Sequence, residues 1–278
     1  MDTKLTPKQR DRLREWLPNA TLISDLSWNL MDSTVLHLTD DHRDYILKAS
    51  RVDNLHMTRE TNAHHSATGV LIKAGRAAPL LHSDLDAQML LLGYLPGTLI
   101  QDTPAEFEPD TYRQAGRLLR LLHDQPAQPD ADYEAAIRDK SIWWLDRPHR
   151  IDPELERKAR VRLAAMQPQP VKLIPTHGDY HPRNWLLDEG RVSIIDFGRF
   201  NYRPAYTDFL RLSQRQWIGR PDLEAAFVAG YGSDPRPPDR WSDALLHEAI
   251  ATACWAYMVQ DEAFEQQGHR MIHAALTG

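Results

Sequence analysis

From Thr6 to about Trp16 apolar residues recur at helical spacing, and Thr6, Pro7 and Gln9 supply an N-cap, a proline at the first helical position and a capping-box partner. A short helix is predicted there. Between Ala20 and Ser50 the pattern shortens to β-type runs, ATLISDLSW, STVLHL and DYILKAS, separated by polar turn-like residues, and reads as an antiparallel meander. Helical spacing returns from Asp53 to about Gly75, after which PLLHSD and QMLLLGY look like further strands. Leu95, Pro96 and Gly97 then break the pattern. Proline and glycine directly after an apolar strand permit a sharp change of direction, so a lobe boundary is expected between residues 94 and 95. Helix dominates downstream: Tyr112, Ala115, Leu119 and Leu122 share one helical face, and the segments from Ala205 onward are similar. The proline-rich pieces at 126–129, 168–175 and 235–238 read as loops. The expected organisation is an α+β chain with a β-rich part at 1–94 and a mostly helical part at 95–278.

The candidate chemistry is concentrated in HGDYHPRNWLLDEGRVSIIDFG, from His177 to Gly198. Trp185–Leu187 and Val192–Ile195 are short strands around a turn at Asp188–Gly190, so they form a hairpin. With the turn centred near Gly190, Asn184 and Asp196 are equally far from it and lie opposite one another, about 4.5–5.5 Å apart. An amide oxygen and a carboxylate are hard ligands, which suit Mg²⁺ shared with phosphate oxygens better than Zn²⁺. Asp179, five residues before Asn184, is on the loop entering the hairpin. Two chemistries fit these residue types. His177, Asp179 and His181 form a possible transition-metal set, as in a metallohydrolase. Alternatively, Asp179 acts as a base and the hairpin residues hold metal for phosphoryl transfer.

The spacing D-x-x-x-x-N followed by Asp196–Phe197–Gly198, with glycine after the histidine in HGDYHPRN, resembles the aminoglycoside phosphotransferase and choline kinase family of small-molecule kinases. The resemblance implies a bilobal protein-kinase-like fold and an O-phosphotransferase using ATP or GTP with Mg²⁺. It implies that Asp179 orients and deprotonates the acceptor hydroxyl, and that Asn184 and Asp196 bind the metal. Lys48 in YILK would contact the α/β-phosphates, and Glu60 in TRETN would hold it. Strand alternation puts Ile46 on the face of Lys48, where it would touch the adenine. The resemblance assigns GYLPG to the hinge, so the backbone of Gly93, Tyr94 and Leu95 would hydrogen-bond the base, and Asp208 in RPAYTDFLRL would brace the catalytic loop. One departure is that DLSWNLMDST, Asp25 to Thr34, has no glycine where phosphates are covered. Ser27 and Asn29 are the phosphate contacts expected there instead. His177 reads as a buried histidine bonded to neighbouring backbone, and His181 as loop-shaping. Asp261 and Glu265, one helical turn apart, are the candidate holders of a cationic acceptor, against the plainer reading of a solvated face.

Charge and composition narrow the partners. The chain of 278 residues carries a net charge of −6 with no block of lysine or arginine, which argues against a nucleic-acid partner and suits a small cationic acceptor. Cys254 is the sole cysteine, which excludes an intramolecular disulfide and agrees with a reducing compartment. The N-terminus lacks a signal-type apolar segment, and the run MLLLGYLPGTLI is interrupted short of a membrane span, so a cytoplasmic monomer or homodimer is expected. The acceptor expected is a cationic antibiotic, an aminoglycoside or basic peptide, whose phosphorylation confers resistance. A metabolite such as choline, homoserine or a sugar is second, and a catalytically dead nucleotide-binding module is the further rival.

Overall fold

The computed structural model describes residues 4–27, 33–51 and 53–277. Helix α1 (Pro7–Trp16) starts with the capping box that the sequence predicts, Thr6 Oγ1 accepting from Gln9 N–H and Gln9 Oε1 from Thr6 N–H. Gln9 Nε2 then donates to Ser50 O at 2.7 Å and Ala87 O at 2.9 Å, tying the helix to the sheet that follows. That sheet contains β1 (Thr21–Asp25), β2 (Ser33–Asp40), β3 (Arg43–Ser50), β4 (Leu80–Asp84) and β5 (Met89–Gly93) in the order β1-β2-β3-β5-β4, antiparallel throughout. Between β3 and β4 run α2 (Leu55–Ser66) and α3 (Gly69–Lys73), so the helical stretch expected from 53 to 75 is broken at Ala67–Thr68.

Alternation gives the sheet two different faces. Leu36, Leu38, Leu47, Ala49, Met89 and Leu91 are buried with Leu5, Leu13 and Leu17, which closes a core between sheet and α1. Burial of each leucine stabilises by about 1.5–3 kcal/mol. The opposite face carries Val35, Ile46 and Lys48, all half-buried.

The chain continues through β6 (Thr98–Leu99), α4 (Pro109–His123), β7 (Gln128–Asp130), α5 (Tyr133–Leu145), α6 (Pro153–Ala165), β8 (Val171–Thr176), β9 (Trp185–Asp188), β10 (Arg191–Ile194) and β11 (Asn201–Arg203). Four helices close it: α7 (Leu210–Ser213), α8 (Pro221–Tyr231), α9 (Trp241–Val259) and α10 (Glu262–Thr277). Two of the expected loops contain strands instead, since β7 and β8 pair antiparallel with Gln128 opposite Leu173. Pro129 is tolerated because β7 is an edge strand, where a missing N–H breaks no ladder.

The chain forms two compact units. The first holds the five-stranded sheet, α4, the segment 175–201 and α8; the second holds 126–174, 202–220 and the chain from 234 onward. The change of texture at 94/95 marks where sheet gives way to helix. Within the first unit α4 and α8 cross through glycines: a methyl group on Gly116 would come 2.2 Å from Phe227 O, and one on Gly230 2.0 Å from Arg113 O. The second unit has its own core of Leu145, Leu163, Leu246, Ile250 and Ile272. No helix among the described residues is long and apolar enough to cross a membrane.

Candidate active site

Lys48 leaves β3 on the half-buried face of the sheet, and its Nζ lies 2.8 Å from each Glu60 carboxylate oxygen and 3.2 Å from Asp196 Oδ1. Burial alone would lower the ammonium pKa, but the two carboxylates outweigh it and hold Lys48 above its ordinary range. Burial pushes Glu60 upward, against the pull of Lys48. At Asp196, burial is opposed by the Lys48 charge, which prevails and keeps the carboxyl below the usual range.

Glu60 does not act alone on α2. His56 and His64 stand one turn before and one turn after it, so the three share a face. A methyl group on Gly198 would meet His56 Nδ1 at 3.1 Å, and the His64 ring lies edge-on to Phe197 at 5.7 Å. Burial holds His64 down at about 4, so it is neutral near neutral pH. The face thus runs along Asp196–Phe197–Gly198. Neither histidine was singled out for this role in the sequence, although their four-residue spacing from Glu60 is the signal that would have found them.

The segment from His177 to Asn184 is fixed by buried contacts. His177 has no exposed surface; its Nε2–H donates to Ile195 O at 3.0 Å and its Nδ1 accepts from Asp179 N–H at 3.2 Å. Both ring nitrogens are therefore committed to backbone, and the metallohydrolase set fails at its first ligand. Among the described residues no group of three or more His, Cys, Asp or Glu is placed to hold a metal. Tyr180 Oη donates to Ala115 O at 2.7 Å, which anchors the loop to α4 close to the glycine crossing.

Asp179 is 3% exposed. Its Oδ2 accepts from Arg183 Nη2 at 2.9 Å and Asn184 Nδ2 at 3.1 Å, and its Oδ1 lies 3.2 Å from His181 Nε2. Asn184 Nδ2 also donates to Asp179 O at 2.8 Å, so the amide NH₂ is turned to Asp179 and the amide oxygen away from it. Arg183 was not picked out in the sequence; a cation four residues after an aspartate was the available signal.

The hairpin register differs from the expectation by one residue. Its turn contains two residues, Glu189 at φ 46° and Gly190 at φ 75°, so Trp185 pairs with Ile194 and Asn184 O accepts from Ile195 N–H at 3.0 Å. Asn184 therefore opposes Ile195, not Asp196. Asp196 comes one residue later with φ 63°, a left-handed conformation that costs about 1–3 kcal/mol in a non-glycine residue. That kink takes its carboxylate out of the strand alternation, towards Lys48 and Gly198 N–H. Asn184 and Asp196 are both oxygen donors, a set that fits Mg²⁺ completed by phosphate oxygens and water.

The outer residues vary. Ile46 lies on the face of Lys48. Gly93 N–H donates to Pro79 O at 2.9 Å and Tyr94 N–H to Asp44 O at 3.3 Å, while the Tyr94 ring stacks on His37 at 4.2 Å. Leu95 follows, half-buried. Ser27 Oγ accepts from Val35 N–H at 3.0 Å, so this hydroxyl serves the β2 backbone, and Asn29 lies outside the described residues. Asp208 is buried in the turn Ala205–Phe209 of the second unit.

The acidic pair on α10 is not the open site expected. Glu265 is 2% exposed and bound through both oxygens to Arg150, at 3.1 and 2.5 Å, and Asp261 Oδ1 accepts from Phe264 N–H at the start of the helix. One carboxylate is neutralised in the interior and the other is a cap.

Lys48 paired with Glu60, Asp179 bonded to Asn184, and Asp196 directly after the hairpin are thus brought together within the first unit. The phosphotransferase enzyme family model matches residues 25–242, and the chain belongs to that family. Membership makes it a small-molecule phosphotransferase. No curated protein sequence matches it. Its α+β fold is protein-kinase-like, similar to solved structures of low sequence identity. A thermostable mutant of aminoglycoside phosphotransferase APH(4)-Ia, in a ternary complex with ADP and hygromycin B, is 13% identical with a TM-score of 0.68, over 96% of this chain and 97% of that one. Choline kinase LicA from Streptococcus pneumoniae is 13% identical with a TM-score of 0.70, over 96% of each chain. A choline/ethanolamine kinase family protein from Mesorhizobium loti is 19% identical with a TM-score of 0.67, over 97% of this chain and 95% of that one.

Proposed function

We propose that the chain transfers the γ-phosphoryl group of ATP or GTP to a hydroxyl of a small molecule, with Asp179 orienting that hydroxyl and taking its proton. The observation that carries the reading is the convergence of Lys48, Glu60 and Asp196, the first and last 148 residues apart, at 2.8 and 3.2 Å. Such a set has a use in holding polyphosphate: Lys48, oriented by Glu60, neutralises phosphate oxygens. Asn184 and Asp196 would hold Mg²⁺, which when bound supplies charge neutralisation at the phosphates. Asp179, held by its loop, deprotonates the acceptor oxygen as that oxygen forms its bond to phosphorus. Catalysis is then positioning and electrostatics, with no covalent enzyme intermediate.

Residues 1–94 would serve as the nucleotide lobe and 95–278 as the acceptor lobe, with carbonyl groups of Gly93 and Tyr94 and the backbone of Leu95 meeting the base beside Ile46. The acceptor class proposed first is a cationic antibiotic, supported by the net charge of −6 and by the likeness to a hygromycin B complex. A metabolite acceptor is the second reading, supported by the comparable likeness to choline kinases. The reading places the protein in the cytoplasm, where nucleotide is available. A coupled assay of nucleoside diphosphate release against a panel of aminoglycosides, peptide antibiotics and hydroxylated metabolites tests it. Release stimulated by at least one acceptor is expected; nucleotide binding without release across the whole panel would favour a catalytically dead module.

A further inference from the structure

Asp196 turns its carboxylate out of the strand alternation through a left-handed backbone, φ 63°, a conformation that persists in a non-glycine residue only where its surroundings impose it. Constraints lie on each side of it. Before the turn, His177 Nε2–H donates to Ile195 O at 3.0 Å. Within it, Phe197 is buried, with the His64 ring edge-on. After it, Gly198 N–H donates to Asp196 Oδ1 at 3.3 Å, and this bond and the one from Lys48 set the direction of the carboxylate. At a length beyond about 3.2 Å the Gly198 bond is weak, so it depends on where Gly198 is held. His56 stands against that glycine. A methyl group on Gly198 would meet His56 Nδ1 at 3.1 Å, His56 Cβ at 3.2 Å and Asp196 Oδ1 at 3.2 Å. Gly198 has no left-handed φ, so the approach of these atoms is what excludes a side chain there. His56 is fixed in its turn by the start of α2: its N–H donates to Asn54 Oδ1 at 2.9 Å, Asn54 N–H donates to Gln88 Oε1 at 3.0 Å, and one turn on Glu60 is bound by Lys48. Burial first, and then Arg199, lowers the His56 pKa, so near neutral pH the ring is uncharged and acts on the turn by contact.

We propose that His56 is a positioning residue for the metal site: packed on Gly198, it holds the turn that aims the Asp196 carboxylate, and so sets the affinity for Mg²⁺ shared with the nucleotide phosphates. This rests on the reading of Asp196 as a metal ligand. One face of α2 then serves the site twice, Glu60 through Lys48 and His56 through Gly198. Groups that orient a metal ligand without touching the metal are worth about 10–100-fold in metal affinity. The competing role is plain packing at the start of α2. Its loss would lower the stability of the fold and act on nucleotide binding alike with and without metal.

Calorimetric titration with AMP-PNP, once in Mg²⁺ and once in EDTA, separates the two roles without knowledge of the acceptor. The readout is the ratio of the two Kd values, the tightening that the metal brings. His56→Ala is expected to cut that tightening by about tenfold or more and to leave the Kd in EDTA within about twofold of wild type. His56→Asn keeps Cβ and a polar δ atom where they meet Gly198, and should recover most of the loss. Gly198→Ala attacks the same contact from the other side and should show a loss like that of His56→Ala, which keeps the test open if His56→Ala does not fold. Undiminished tightening in either alanine variant would overturn the proposal. A parallel loss in Mg²⁺ and EDTA would overturn it as well, since it would report a distorted helix. Asp196→Ala is the control on the underlying reading: it should abolish the tightening, and tightening retained there would take the metal away from Asp196 whatever the His56 variants show.

Discussion

At Asp179 a single buried carboxylate is the proposed base. Asp179→Asn keeps the size of the side chain and removes its basicity, so turnover should fall by about 10²–10⁴-fold with nucleotide affinity retained. Steady-state kinetics beside a nucleotide titration checks this, and near-normal turnover would take Asp179 out of the reaction. Asp196→Ala should weaken Mg²⁺-dependent nucleotide binding more than Asn184→Ala, because a charge is lost in the first and a neutral dipole in the second. It also leaves Lys48 with Glu60 as its remaining carboxylate among the contacts at the ammonium. Equal effects, measured by nucleotide titration over a range of Mg²⁺, would contradict the division of labour. Residues fixed by local spacing were legible in the sequence: Lys48 two positions after Ile46, and Asn184 five after Asp179. Those fixed by a partner far along the chain were not. Glu265 looked open because its partner Arg150 lies 115 residues earlier. The burial of His177 and its bonding to nearby backbone were legible, but not that one partner is Ile195 O on the far side of the hairpin.

Two helices and a hairpin set the positions of these side chains. The α4–α8 crossing admits no side chain at Gly116, so Gly116→Ala must push the helices apart beneath the loop that Tyr180 anchors to Ala115. Strain of this kind costs about 1–3 kcal/mol, and a lower urea midpoint at unchanged m-value is expected. No loss of stability would mean that the helices separate freely. On α10, Glu265→Gln should likewise destabilise the fold by roughly 1–3 kcal/mol through the lost buried contact to Arg150. It should leave the acceptor KM unchanged; a raised acceptor KM with normal stability would restore Glu265 to the acceptor site. At this scale the meander, the first helix and the hairpin were readable from polar and apolar alternation. The hairpin register was not, since a two-residue and a three-residue turn differ by one position and the sequence Asp188–Glu189–Gly190 accommodates either. Strands β7 and β8 were hidden by their prolines, which composition reads as loop.

Across the whole molecule, burial lowers the pKa of His56, His64, His247 and His269 and so couples stability to pH, His64 and His247 by the largest shifts. Burial lowers both His64, in the first unit, and His247, in the second, to about 4. Both values lie below the unfolded value of about 6.5, so the unfolded chain binds more protons in the window between. Their stabilisation is present in full above about pH 6.5 and is lost as pH falls through 4, with a slope of about 1.4 kcal/mol per pH unit for each histidine. Urea unfolding at pH 7 and pH 5 should show this loss, and His64→Phe with His247→Leu should flatten it; an equally steep slope in the double variant would assign the pH dependence to other groups. The α+β order and the phosphotransferase family were legible as a whole because the hairpin motif and the upstream lysine come in one order along the chain. The two packing units were not, since each is assembled from separated segments.

The most direct test of the central claim follows labelled γ-phosphate from ATP into an acceptor identified by the panel, for wild type and Asp179→Asn side by side. The account predicts one phosphorylated acceptor per nucleoside diphosphate released by wild type, and a rate at least about 10²-fold lower in the variant with nucleotide still bound. Equal label transfer by both proteins, or diphosphate release with no label in the acceptor, would contradict it.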